Sequence, residues 1–443
     1  MATPSKRARL DAVEPKATFP LKTINRHLLN FDFEKVCSVT LSPSNIYCCL
    51  TCGKYFHGKS ETTPAFNHAL TVGHELYIRL TDGAAYQLPD DVPLASYPEV
   101  DEKLEDIRKN LYPVFDSQMI AEIGKKEVFT INGVSFMPGL VGLNKIGSAD
   151  YLNSVVQMLL IFEPLRDQLL SLSKDSQQQK DNAASKTSLA VINSLASLIK
   201  RMFNPASYKP TTSPQEFLNA VSIASKKQFF TRPADAAAFL SWLVMILKNK
   251  EASTVDTISG ILNGNLEMQS HPGIRKPFTL LNLTLPQMPV IPGKEMIVPT
   301  ADLRDILVES LSAMGVMKIS QFPTFLVLVY KRFLSNEFVS EKNKTVVLAP
   351  RLGLDLSSLG ESPESWFKDK MSLNEPGIYD LVSCISHEGE LKSGTYKTFV
   401  LHSVSNQWYE IHDLKVKGVV GEQIDVLEAY VHVYKLRLSQ LLE

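Results

Sequence analysis

Apolar and polar positions divide the chain into stretches of different period. Between residues 23 and 79, apolar and aromatic residues crowd together with cysteine and histidine. That stretch ends in a strand-like run, Glu75 to Leu80, and the turn signal Thr81-Asp82-Gly83. Residues 90 to 130 are more charged, carry one helical pattern from Val100 to Leu111, and read as a connector. From Phe136 to about residue 250, apolar residues recur at helical spacing, broken by the polar stretch Ser173 to Ser188, which predicts a loop. Beyond it, short runs rich in β-branched and aromatic residues predict strands: Phe325 to Tyr330, Leu381 to Ile385, Thr398 to Val404 and Ala429 to Tyr434. A helical half followed by a sheet-rich half predicts an α+β domain behind a smaller one. The chain carries no internal repeat.

With 443 residues and 44% hydrophobic content, the chain can bury one small and one large core. The expected division is a disordered basic tail over 1–17, a small domain over 18–110, a connector over 111–134 and a large domain over 135–443. Nothing resembles a run of about 18 apolar residues or a secretory leader, so the expectation is a protein inside the cell, with no membrane partner. A net charge of -1, from 46 basic and 47 acidic residues, excludes a broad electropositive surface. Lys6, Arg7 and Arg9 in the tail read either as a nuclear import signal or as a merely solvated terminus.

Four of the five cysteines fall between Cys37 and Cys52, a clustering that suits metal ligation better than disulfides. Cys49 and Cys52 form a C-x-x-C pair, followed after fifteen residues by His68 and after five more by His74. Two thiolates and two imidazoles saturate a tetrahedral Zn²⁺ and leave no place for a reactive water, so such a site is structural. Cys37 and Cys48 compete as ligands but rank behind, as small core residues.

The stretch CCLTCGKYFHG, with the two histidines and HELYIRL, resembles the ubiquitin-binding zinc finger of some deubiquitinases. Tyr47 stands near the expected tail-gripping tryptophan, and no tryptophan lies in this domain. Further on, Gly142-Leu143-Asn144-Lys145-Ile146-Gly147-Ser148-Ala149-Asp150-Tyr151-Leu152-Asn153-Ser154, with Gln157, is similar to the cysteine box of the ubiquitin-specific proteases. Tyr379 to Leu381, His387 to Gly389, Gly394-Thr395-Tyr396 and Trp408 to Asp413 resemble that family's histidine box and its W-x-x-F-D-D ending. Asp235 to Leu240, Lys331 to Phe333, Leu354 to Leu356 and Ala429 to Tyr434 extend the resemblance over about 136 to 437. It implies a papain-like fold with a helical thumb and sheet-rich palm and fingers. The family's paired C-x-x-C ribbon is missing around 258 to 285, so any fingers must be held by packing alone.

By the same resemblance, Asp150 occupies the place of the nucleophilic cysteine, Lys145 that of the oxyanion-stabilising asparagine, Thr395 that of the histidine and His412 that of its orienting acid, while Asp413 keeps the second acidic place. Leu152, Val155, Val156, Leu159 and Leu160 put position 150 at a helix start, where an aspartate suits an N-cap. The implied protein is a pseudoenzyme with no catalytic residues. Replacement chemistry would need Cys384 with His387 or His402, but Cys384 sits in an apolar strand pattern, where a thiol is inert. TINRHLLNFDFEKVCSVTLS and CGKYF bring the chain nearest the inactive, splicing-associated branch of the family. That branch implies a nuclear scaffold supporting the spliceosomal tri-snRNP through protein contacts. The alternatives are a ubiquitin reader without cleavage and a deubiquitinase with displaced chemistry. Ubiquitin or a ubiquitin-like protein, and weak RNA contact through the tail or the finger, are secondary expectations for partners.

Overall fold

The computed structural model describes residues 19–32, 34–172, 183–229, 235–249, 252–271, 273–286, 298–335, 340–360, 374–390, 394–424 and 429–438. The basic tail expected over 1–17 lies outside them. The chain divides into two compact units at Tyr112/Pro113, with Asp32–Glu34 grouped with the second.

The first unit is built on a five-stranded antiparallel sheet ordered Tyr55–His57, Ile46–Cys49, Leu76–Arg79, Ala85–Gln87, Val92–Pro93. Its helix, Pro64–Val72, has local signals at both ends. Thr63 is extended, Pro64 sets the first turn, and Gly73 closes the last in the left-handed conformation at φ 75°. Tyr47, Phe56, Ala65, Ala69, Tyr77 and Leu88 form the small core. The helix expected from Val100 to Leu111 is instead a helix over Pro98–Asp101, a 3-10 turn over Glu102–Leu104 and a helix over Glu105–Leu111. Leu94, Leu104, Ile107 and Leu111 are buried, so this stretch is core and not connector. Its apolar residues stand at 104, 107 and 111, a narrow stripe whose burial the surrounding charges concealed.

The second unit sets helices against one large sheet. The helices are Asp150–Leu159, Glu163–Ser171, Ala183–Met202, Gln215–Ala224, Ala236–Leu247 and Val255–Leu262. Of the polar stretch expected to be a loop, 173–182 lies outside the described residues, while helix begins at Ala183. The sheet runs Leu280–Leu283, Phe325–Tyr330, Ala429–Leu438, Asn374–Glu388, Thr395–His402, Gln407–His412, Lys415–Val419, with Leu354–Asp355 pairing onto the Asn374 strand.

All six residues of Phe325–Tyr330 are buried. Phe325, Val327 and Val329 face the helical core, whereas Leu326, Leu328 and Tyr330 belong to a second core on the opposite face. An unbroken apolar run is what a strand covered on both faces requires. The finger-like sheet, ordered Arg275–Phe278, Gly264–Met268, Val316–Gln321, carries no cysteine. Leu266, Phe278 and Ile319 join it to the second core, beside the helix Leu303–Ala313. No helix among the described residues is long and apolar enough to cross a membrane.

The cysteine-box segment enters this unit through a close backbone contact. Leu143 N–H donates to Asp413 O at 2.9 Å, and a Cβ on Gly142 would lie 2.5 Å from Leu414 O and 2.7 Å from its Cα. Backbone atoms cannot swing away as a side chain can. Gly142→Ala should therefore lower stability by about 1–3 kcal/mol, read as a fall in the urea midpoint at unchanged m-value.

Candidate functional site

In the first unit, the four predicted ligands come together. Cys49 ends a strand, Cys52 follows in the turn, His68 rides on the helix and His74 follows the Gly73 cap. Gly53, at φ 72°, lets this turn close, its N–H donating to Cys49 O at 2.9 Å. Gly73 returns the chain so that His74 Nδ1 lies 3.1 Å from His68 Nε2 and 3.6 Å from Cys49 Sγ; Cys52 Sγ lies 3.4 Å from His68 Nε2. All four donor atoms fall within 4.8 Å of one another. A tetrahedral zinc with two sulfur and two nitrogen ligands sets mixed edges of about 3.3–3.6 Å. The donor set therefore fits the ion. The thiol of Cys49, bonding to Cys52, holds the Cys52 group down to about 4, and the same bond and burial push Cys49 up. His68 is stacked on Phe56 with centroids 4.3 Å apart. Cys37 and Cys48 are fully buried and outside the cluster; Cys37 Sγ accepts from the Val39 and Thr40 amides.

In the second unit, the positions that the resemblance assigns to Lys145, Asp150, Thr395 and His412 lie where the Asp150 helix abuts the sheet. Asp150 is the first helical residue and not the N-cap; that place falls to Ala149, whose side chain has no oxygen to offer. The Asp150 carboxylate turns to the sheet instead. Its Oδ2 accepts from Tyr396 N–H at 3.2 Å and lies 3.5 Å from Lys145 Nζ. Only 6% of Asp150 is exposed, so these partners replace water for a buried charge, in the favourable field of a helix start. Thr395 immediately precedes Tyr396 at the start of its strand. His412 ends the next strand with Nε2 3.8 Å from Asp413 Oδ2. Asp413, at φ 51° in the following turn, accepts from Asn153 Nδ2 at 2.8 Å.

Residues 141–434 match the model of the family described as ubiquitin carboxyl-terminal hydrolase, and residues 35–97 match that of the zinc finger in ubiquitin hydrolases and other proteins. The chain belongs to the ubiquitin carboxyl-terminal hydrolase family. Human ubiquitin carboxyl-terminal hydrolase 39 is 31% identical, over 94% of this chain and 79% of that protein. The Saccharomyces cerevisiae pre-mRNA-splicing factor SAD1 is 25% identical, over 96% and 95% respectively. Among solved structures, that of an essential yeast splicing factor superposes with a TM-score of 0.77 at 24% identity, covering 94% of this chain and 99% of that one. The fold is thus the α+β hydrolase fold of this family behind its zinc finger.

Sequence reasoning missed several of the bonds around this crossing of helix and sheet. Ala236 N–H donates to the Tyr396 hydroxyl at 3.5 Å, and the Tyr430 hydroxyl donates to Asp235, which also caps the helix Ala236–Leu247 through Oδ1. Tyr396 thus links two helix starts through its amide and its ring oxygen. Gly394 leaves room for the His387 ring, against which its Cβ would lie at 2.2 Å. The replacement chemistry is not assembled either. Cys384 is fully buried opposite Phe399 and His432 in the sheet register, and burial holds His432 down to about 3. His387 packs against Phe333 and Tyr396, and His402 bonds Ser405.

Two outcomes follow. Removing metal with a chelator should expose the first unit to proteolysis before the second; Cys49→Ser should lose zinc measured by mass spectrometry, and Cys48→Ser should retain it. Asp150→Cys alone should release no fluorophore from a ubiquitin C-terminal amide reporter if, as the resemblance implies, Lys145, Thr395 and His412 stand in the other functional places; release would mean that an intact base stands near position 150.

Proposed function

We propose that the chain is a non-catalytic scaffold of pre-mRNA splicing, acting in the nucleus through contacts with tri-snRNP proteins, its finger held by a structural Zn²⁺ on Cys49, Cys52, His68 and His74. The observation that carries this reading is the extent of the similarity: relatives whose names include a splicing factor align over both the finger and the hydrolase domain, across 94–96% of the chain.

The groups around Asp150 support the same reading from chemistry. Amide hydrolysis needs a nucleophile, a base within hydrogen-bond reach and donors aimed at the developing oxyanion. Asp150 offers a carboxylate already engaged by Tyr396 and Lys145. Thr395 cannot act as a base at neutral pH, and His412 neighbours Asp413 in the acid's place. A fold that keeps its packed layers without the reacting groups retains its surfaces for binding.

The test is to purify the tagged, full-length chain from nuclear extract at mild salt and identify what accompanies it. The expected result is enrichment of the small RNAs and proteins of the tri-snRNP. Recovery of ubiquitin conjugates without those RNAs would overturn the reading in favour of a ubiquitin reader.

A further inference from the structure

Among the described residues of the first unit, one hydroxyl is buried without a hydrogen bond. Tyr77 is fully buried in the small core, and its Oη has no hydrogen-bond partner there. Taking a hydroxyl out of water and leaving it unbonded costs stability, and native cores seldom do so without a reason. A phenylalanine would fill the same space at no such cost. The surroundings of the hydroxyl supply the reason.

Tyr77 stands directly opposite Cys49 in the antiparallel register of their strands, so the two side chains leave the sheet on the same face. Its ring meets that of His68 edge-on, with centroids 6.4 Å apart and planes at 87°. Tyr77 is thus set against two of the four ligand-bearing residues. Burial first, and then the sulfurs of Cys49 and Cys52, push its hydroxyl well above its ordinary value, so it keeps its proton and stands as a donor.

A donor needs an acceptor, and few are within the core. The side chains of Phe56, Ala65, Ala69 and Leu88 offer none. His68 and His74 turn Nε2 and Nδ1 respectively to the cluster, and an imidazole with one nitrogen on a metal ion keeps only an N–H on the other. Sulfur is the acceptor left. A metal-bound thiolate carries negative charge that an O–H can share, and Cys49 is the cysteine across the strand from Tyr77.

We propose that Tyr77 is a positioning residue of the metal site, its O–H donating to Cys49 Sγ when that sulfur is a thiolate ligand of Zn²⁺, a role that rests on the zinc reading of Cys49, Cys52, His68 and His74. The bond would draw charge from the sulfur and fix its direction. Partners that orient a ligand in this way are commonly worth about 10–100-fold in metal affinity.

The test uses the full chain with Zn²⁺ or Co²⁺ as the only added ligand, in the wild type, in Tyr77→Phe and in Tyr47→Phe, the matched control, whose hydroxyl stands by Arg79. Zinc affinity is read by competition with a chromophoric chelator, and the cobalt form by its sulfur-to-metal charge-transfer absorption. Tyr77→Phe should bind Zn²⁺ roughly 10-fold more weakly. Its charge-transfer band should move to longer wavelength, because a thiolate without its hydrogen bond gives up charge more easily. Tyr47→Phe should change neither. Since Tyr77→Phe keeps the ring, the ligand-field bands of a tetrahedral cobalt site should persist and report that the finger is still folded. An unmoved charge-transfer band would overturn the proposal; so would zinc binding as tight as in the wild type or tighter, the result expected when a merely unbonded hydroxyl is removed, and so would an equal shift in Tyr47→Phe. A wild-type chain that takes up neither ion would overturn the zinc reading itself, and the role of Tyr77 with it.

Discussion

The second unit depends on a sheet covered on both faces. Strand Phe325–Tyr330 gives alternate side chains to two cores, and its neighbour Ala429–Leu438 does the same, with Val431 and Val433 on the helical side and Tyr434 on the other. A one-residue slip would exchange the two sets, so the register is held from both faces at once. Everything functional hangs from this fixed frame. The Tyr396 amide and the Asp413 turn are both placed by strands of this sheet, whose register two cores hold.

The polar groups where the Asp150 helix meets the sheet are engaged in holding bonds. A catalytic site keeps polar groups poised and incompletely satisfied until substrate arrives. Here Asp150 is engaged by Lys145 and Tyr396, Asp413 by Asn153, and Asp235 by Tyr430 and its own helix. Each of these bonds joins a helix start or its approach to the sheet or to a sheet turn, or closes a helix end. This crossing point fastens two layers together.

The parts legible in sequence were those encoded by local spacing. Cys49, Cys52, His68 and His74 could be read because a C-x-x-C pair and two histidines follow one another at the spacing of a four-ligand zinc site. The strand Phe325–Tyr330 was legible because burial on both faces leaves no polar residue to confuse the pattern. The helical pattern through Leu104, Ile107 and Leu111 was read, but its burial was not, because its charged neighbours made the stretch resemble a connector. Asp150 was read as a helix start, yet its partner was not, since the Tyr396 amide reaches it only through sheet register, 246 residues away.

That 246-residue separation bears on how a newly made chain must mature. The helical half leaves the ribosome well before the strand that will donate to Asp150 has been synthesised, so the carboxylate must wait. A negative charge can wait there at little cost, since the first turn of its own helix favours it and Lys145 emerges only five residues earlier. Vectorial synthesis thus finds at position 150 a group that is harmless while unpartnered, becoming a fastening only when the last strands close the sheet.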